Sequence, residues 1–179
     1  ASIFIKDSIQ LSRFGAVVVA PIVAEITKGL FLMITISNKK FDNITDGIVY
    51  GSAIGLGFGM TENFFYFVAS SNSINTLLTL IVIRTLFSAV MHCVATGTLG
   101  AFLGYAKFKK KLGKISFGLF GLLIAMIIHS AWNTFVSYQS TALIGIAFMI
   151  VTIIVFFLVF TISLNTERKI IFSELLDES

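Results

Sequence analysis

The sequence predicts an all-α, polytopic helical membrane protein with about five transmembrane helices, and three observations predict it. Hydrophobic residues make up 56% of the chain and charged residues 12%, with a mean hydropathy of +0.96, far from the balance of a soluble domain. Apolar runs long enough to cross a hydrocarbon core of ~30 Å recur five times between short hydrophilic breaks. The cations also sort by break: Lys39, Lys40, Lys107, Lys109, Lys110, Lys111, Lys114, Arg168 and Lys169 fall on one side, and only Lys6 and Arg13 on the other. Under the positive-inside rule this places the N-terminus outside and the first break, the third break and the C-terminus in the cytoplasm of a multi-pass cell-membrane protein. The basic pI of about 9.3 thus reflects topology first and contact with anionic lipid second. It does not imply a nucleic-acid partner.

The first run, 14–36, follows a stretch with neither the charged leader nor the short apolar core of a signal peptide. A chain opening at Ala1 is therefore expected to be a processed or truncated piece. The second run, 47–69, lies between a break at 38–43 and one at 70–75. The third, 76–104, is longer than the core requires and leads into the lysine-rich loop 107–114. The fourth, 117–136, and the fifth, 141–164, are joined by a short turn; the fifth has no ionisable residue and reads as scaffold. Residues 1–164 form one helical domain and 165–179 a cytoplasmic tail. A single cysteine, Cys93, excludes an internal disulfide or a thiolate cluster and reads as a small packing residue. Trp132 and Tyr138 are expected in the interfacial aromatic belt.

Small residues recur every four positions. The second run carries Gly47, Gly51, Gly55 and Gly59. The third carries Arg84, Ser88, His92, Thr96, Gly100 and Gly104, and the fourth Gly121, Ala125, His129 and Asn133. Such rows let helix backbones approach closely in lipid, and as packing seams the glycines need no other role. Packing does not call for ionisable groups, however, and the same runs hold Glu25, Lys28, Glu62, Arg84, His92 and His129. A formal charge at a bilayer centre costs about 2.5 to 3.5 kcal/mol, so the four charged groups together cost roughly 10 to 14 kcal/mol unless paired, metal-bound or hydrated. At 1.5 Å per helical residue Glu25 lies ~17 Å below the outer face, His92 ~12 Å, and Glu62 and His129 roughly 8 to 12 Å. Arg84 falls near the outer interface, where it is free to snorkel. Glu25 and Lys28, at i and i+3, are spaced for an intrahelical ion pair.

Carboxylate and imidazole groups at one depth suit a divalent metal, with zinc the best match to such donors and a water position left open. A bound metal lowers the pKa of its water and polarises a peptide carbonyl, while a second carboxylate accepts the water's proton. The chemistry expected is peptide hydrolysis within the membrane, although no HExxH occurs.

The segment Ala20-Pro21-Ile22-Val23-Ala24-Glu25-Ile26-Thr27-Lys28-Gly29 resembles the EExxK motif of the PrsW family of intramembrane proteases, set in an APxxEExxKG context. Asp46-Gly47-Ile48-Val49-Tyr50-Gly51, followed by Gly55-Leu56-Gly57-Phe58-Gly59-Met60-Thr61-Glu62-Asn63, is similar to the family's DGxVYGxxxGxGFxxxEN motif. Arg84 with His92 matches its third helix, and His129-Ser130-Ala131-Trp132-Asn133 its HxxWN motif. The resemblance, which extends to the CAAX-prenyl endopeptidase and Abi group, implies a membrane metalloprotease that cuts membrane-anchored proteins on the extracytoplasmic side, as anti-sigma factors are cut. It implies Glu62, His92 and His129 as metal ligands or water-positioning groups and Asn133 as an oxyanion donor; Lys28 and Arg84 read from spacing and depth as structural ion-pairing or snorkelling residues.

Two departures from the family pattern matter. Ala24 stands where the family has the first glutamate of EExxK, the residue that activates water in the CAAX-prenyl relatives, so Glu25 fills only the second place. This points to a form lacking its general base, through an engineered substitution or natural loss, unless Glu25 takes over the role. The family also generally has additional spans before EExxK. Two other functions remain open on the sequence: an ion- or proton-coupled transporter or channel built on the same charges, and a catalytically silent relative that binds a membrane partner through its glycine seams.

Overall fold

The computed structural model describes residues 2–37, 41–70 and 73–177. Lys39 and Lys40, counted above among the cations of the first break, lie outside the described residues. The described chain is helical between short connections: α1 (Ser2–Phe14), α2 (Ala20–Ile36), α3 (Ile44–Ala69), α4 (Ile74–Ile83), α5 (Ala89–Ala106), α6 (Lys111–Ser137) and α7 (Ala142–Asp177). The segments Asp7–Ile36, Ile74–Ala106, Lys111–Ser137 and Ala142–Leu176 are each long and apolar enough to cross a membrane. The 26-residue α3 is long enough as well, but its glycines and its Thr61-Glu62-Asn63 step make it less apolar. The chain is an all-α, polytopic membrane protein.

Two wide π-helical turns interrupt the long rods. Gly15–Val19 joins α1 to α2, and Arg84–Ser88 joins α4 to α5. The first has a cause in sequence: Pro21 at the start of α2 cannot donate a backbone hydrogen bond, and its ring crowds the carbonyl four residues earlier. The second begins at Arg84 itself and changes the phase of that residue relative to His92, as single π turns do at functional sites.

α5 is the central helix, and α3 packs along it more extensively than any other pair of helices in contact. The glycine row explains how. A Cβ added at Gly47 would meet the backbone of Gly100, one at Gly51 the backbone of Thr96, one at Gly55 the backbone of His92, and one at Gly59 would lie 2.9 Å from Ala89 Cα. The partners descend in number as the glycines ascend, so the two helices run antiparallel in backbone contact, as small-residue rows allow in lipid. This contact brings Glu62, one turn beyond Gly59, up to His92.

The apolar core is formed by Leu32, Met91, Ala95, Leu99, Ala125, Trp132 and Met149. Trp132 is therefore not an interfacial residue: it is 3% exposed and stacks on Phe87 with ring centroids 6.0 Å apart. Its position three residues after His129 puts it on the same inward face of α6. Tyr138 lies near the helix end, its ring under the Arg13 guanidinium. The segment 165–177 continues α7, and Asn43 donates from Nδ2 to Glu167 Oε1 at 2.9 Å.

Candidate metal centre

Four helices deliver the ionisable groups to one buried cluster. From α2 come Glu25 and Lys28, 0% and 1% exposed; from α5 comes His92 at 1%, and from α6 His129 at 3%. One turn separates Glu25 from Lys28, so their side chains share a face, and the Lys28 ammonium donates to Glu25 Oε1. The same carboxylate oxygen lies 2.8 Å from His129 Nδ1, while Oε2 accepts from Thr96 Oγ1 at 3.3 Å. Lys28 Nζ reaches further, to 3.1 Å from His92 Nδ1. The two imidazoles meet edge to face with centroids 4.6 Å apart.

Glu62, on α3, approaches from the other side. Its Oε2 lies 3.1 Å from His92 Nε2 and its Oε1 accepts from Arg84 Nη2 at 2.7 Å. Arg84 does not snorkel away from the site. It is only 13% exposed, donates from Nε to Asn63 Oδ1 at 2.9 Å, and lies 3.5 Å over the Tyr66 ring. Asn63 completes the exchange by donating from Nδ2 to the Arg84 carbonyl at 3.2 Å.

The partners settle where the protons lie. An ammonium only donates, so His92 Nδ1 accepts from Lys28 and the ring proton sits on Nε2, facing the Glu62 carboxylate. A carboxylate only accepts, so His129 Nδ1 carries a proton toward Glu25. Each histidine is thus held by a carboxylate, and each carboxylate by a cation: Arg84–Glu62–His92 and Lys28–Glu25–His129. Glu62 stands behind the His92 imidazole, and a carboxylate so placed fixes the ring and raises its basicity toward a metal.

One donor atom from each of Glu25, His92 and His129 lies within 4.8 Å of the others. Two imidazole nitrogens and a carboxylate oxygen are donors of the kind that hold a divalent metal, so the residues present fit one. Glu62 stands beside this set, on the far nitrogen of His92. The Lys28 ammonium stands within it, on two of its three members.

A cavity of about 950 Å³ between α2, α3 and α6 opens over the cluster, and Ala24, Lys28, Glu62, His129 and Asn133 all face it. Ala24 is 7% exposed and adds no polar group to the wall. Asn133 donates from Nδ2 to the Ala16 carbonyl at 2.8 Å, not to His129 one turn away. Sequence reasoning missed Thr96 and Asn63 as site residues. Both were findable: Thr96 follows His92 by four positions and Asn63 adjoins Glu62.

Comparison with known proteins gives the chain's family. Residues 3–162 match the model of the PrsW-protease family, described as PrsW family intramembrane metalloprotease. The chain is 29% identical over 126 residues to Protease PrsW of Oceanobacillus iheyensis, covering 68% of this chain and 54% of that protein. It is 29% identical over 138 residues to Protease PrsW of Clostridioides difficile, covering 75% and 57%, and 26% identical over 110 residues to that of Bacillus subtilis, covering 61% and 48%. The chain thus spans about half the length of these curated relatives. No solved structure matches it significantly. The chain belongs to the PrsW family of intramembrane metalloproteases.

Proposed function

We propose that this chain forms the catalytic core of a zinc-dependent endopeptidase that cuts single-span, membrane-anchored proteins on the extracytoplasmic side, and that Ala24 leaves its water-activating step impaired. The observation that carries the reading is the convergence of Glu25, His92 and His129 to within 4.8 Å beneath a cavity lined by Ala24, Glu62 and Asn133.

In this reading Glu25, His92 and His129 would hold the metal, which when bound would supply a water of lowered pKa and polarise a carbonyl. Glu62 keeps the His92 ring in place through its Nε2 proton, and Arg84 keeps Glu62 in place in turn. The substrate segment enters the cavity and presents its scissile bond at the base, near Asn133, whose amide stabilises the developing oxyanion once it leaves the Ala16 carbonyl. A general base must lie beside the attacking water. Glu62 is the carboxylate facing the cavity, but its oxygens are already engaged by Arg84 and His92. A glutamate at position 24 would stand on the cavity wall one turn from Lys28 and away from Arg84.

The orientation follows the cation count, with the N-terminus outside and the C-terminus cytoplasmic. Ala24 also supports a second reading, in which the cavity binds a membrane segment and does not cut it. Reconstitution of the chain and of Ala24→Glu with a single-span reporter separates the two. Cleavage by Ala24→Glu at least about 100-fold faster than by the parent supports the protease, that factor being the low end of what a positioned general base contributes. Reporter captured equally by both proteins and cut by neither supports the silent binder.

A further inference from the structure

A second cavity lies away from the metal cluster, between α2 and α6 with α5 as its floor, and has a volume of about 530 Å³. Its lining is graded. Ile26, Gly29, Leu99 and Leu122 form one end, and the polar residues gather at the other: Ser37 closing α2, Lys107 closing α5 and Lys114 opening α6. The walls between are apolar and open to the surroundings, with Leu30 63%, Met33 59% and Leu119 63% exposed. Eleven helical steps from Ile26 to Ser37 give the groove a length of ~16 Å, close to half of a ~30 Å hydrocarbon core. A groove one leaflet deep, apolar along its length and cationic at the headgroup end, has the shape and charge of a phospholipid's complement.

We infer that this groove holds an acyl chain of an anionic phospholipid whose phosphate meets Lys107 and Lys114. Both ammonium groups belong to the junction of α5 and α6, so a phosphate between them ties the floor of the groove to its wall. Basic pockets between transmembrane helices at the level of the headgroups recognise anionic lipid in this way. The Lys107 ammonium also lies 5.1 Å from the Phe41 ring centroid. The site stands on different residues from the metal cluster and does not depend on proteolysis.

The test is native mass spectrometry of the full chain released from neutral detergent, titrated with phosphatidylglycerol or phosphatidylcholine. One phosphatidylglycerol is expected to bind about tenfold more tightly than phosphatidylcholine, from the attraction of two lysines near the headgroup. Lys107→Gln with Lys114→Gln should remove that preference, whereas Lys110→Gln with Lys111→Gln, which takes the same charge from the same loop outside the groove, should leave it within about twofold. Gly118→Leu, which fills the groove, should weaken both lipids. Equal affinity for the two lipids, equal loss in the two lysine pairs, or displacement of the lipid by inorganic phosphate would overturn the assignment, the last two because they point to loop charge or a free-anion site. Variants are scored on the monodisperse fraction, and the Lys110/Lys111 pair controls for loss of fold.

Discussion

At the scale of single residues, Lys28 is the side chain whose role changes most on going from sequence to structure. Its i,i+3 spacing from Glu25 announces the ion pair, and that pair is present. The spacing says nothing of His92, which is 64 residues away and 3.1 Å from the ammonium. Lys28 already provides the positive charge that Glu25 and His92 share, so a divalent metal using those atoms must displace it. Lys28→Met should accordingly tighten Co²⁺ or Zn²⁺ binding by about tenfold, equivalent to ~1.4 kcal/mol, measured by the cobalt absorption bands in titration. Unchanged or weaker binding would show that Lys28 orients Glu25 and does not compete. Asn133 illustrates the same limit of local reading. Four positions from His129, it bonds instead to Ala16 of the turn before α2, a contact between the first and fourth runs that no local spacing encodes.

At the scale of helices, the spans were legible because hydropathy alone separates lipid-soluble runs from breaks, and each predicted run corresponds to a helix or a joined pair of helices. Which face of a run points inward was legible only where small or ionisable residues marked it. Trp132 was misplaced for that reason: in lipid both faces of a helix are apolar, so an aromatic residue near a helix end carries no signal that distinguishes interface from core. The π turns were not legible either, apart from the hint of Pro21. The glycine row on α3 makes a sharper statement, because its members differ. A side chain at Gly55 would run into the His92 backbone, while Gly57 has nothing within 4 Å and faces the cavity. Gly55→Leu should therefore separate α3 from α5 and abolish both the monodisperse fold and metal binding. Gly57→Leu should keep the fold, with a gain from helix propensity of the order of 0.5–1 kcal/mol, and occlude the cavity. Size exclusion with a thermal melt in detergent distinguishes them; equal tolerance of the two substitutions would contradict the antiparallel backbone contact.

At the scale of the whole molecule, three of the four helices that carry ionisable groups, α2, α3 and α6, line the cavity, α5 holds His92 behind it, and α7 lies outside it as scaffold. The depth arithmetic put Glu25, Glu62, His92 and His129 roughly 8 to 17 Å below the outer face, and contacts link the four through Lys28 in one connected set. It did not anticipate how the set divides. Glu62 meets the far nitrogen of His92, and Glu25 lies with the two histidines, because the register of α3 on α5 is set by backbone contact at the glycines and not by the charges. The central claim is that these three residues form a metal centre, and the metal content of the purified full chain tests it most directly. Elemental analysis after purification without chelators should find about one zinc per chain, retained in Asn133→Ala and lost in His92→Ala and in His129→Ala when each runs as a monodisperse species. A metal-free parent that also fails to take up added Zn²⁺ or Co²⁺, or a metal that survives loss of either histidine, would contradict it.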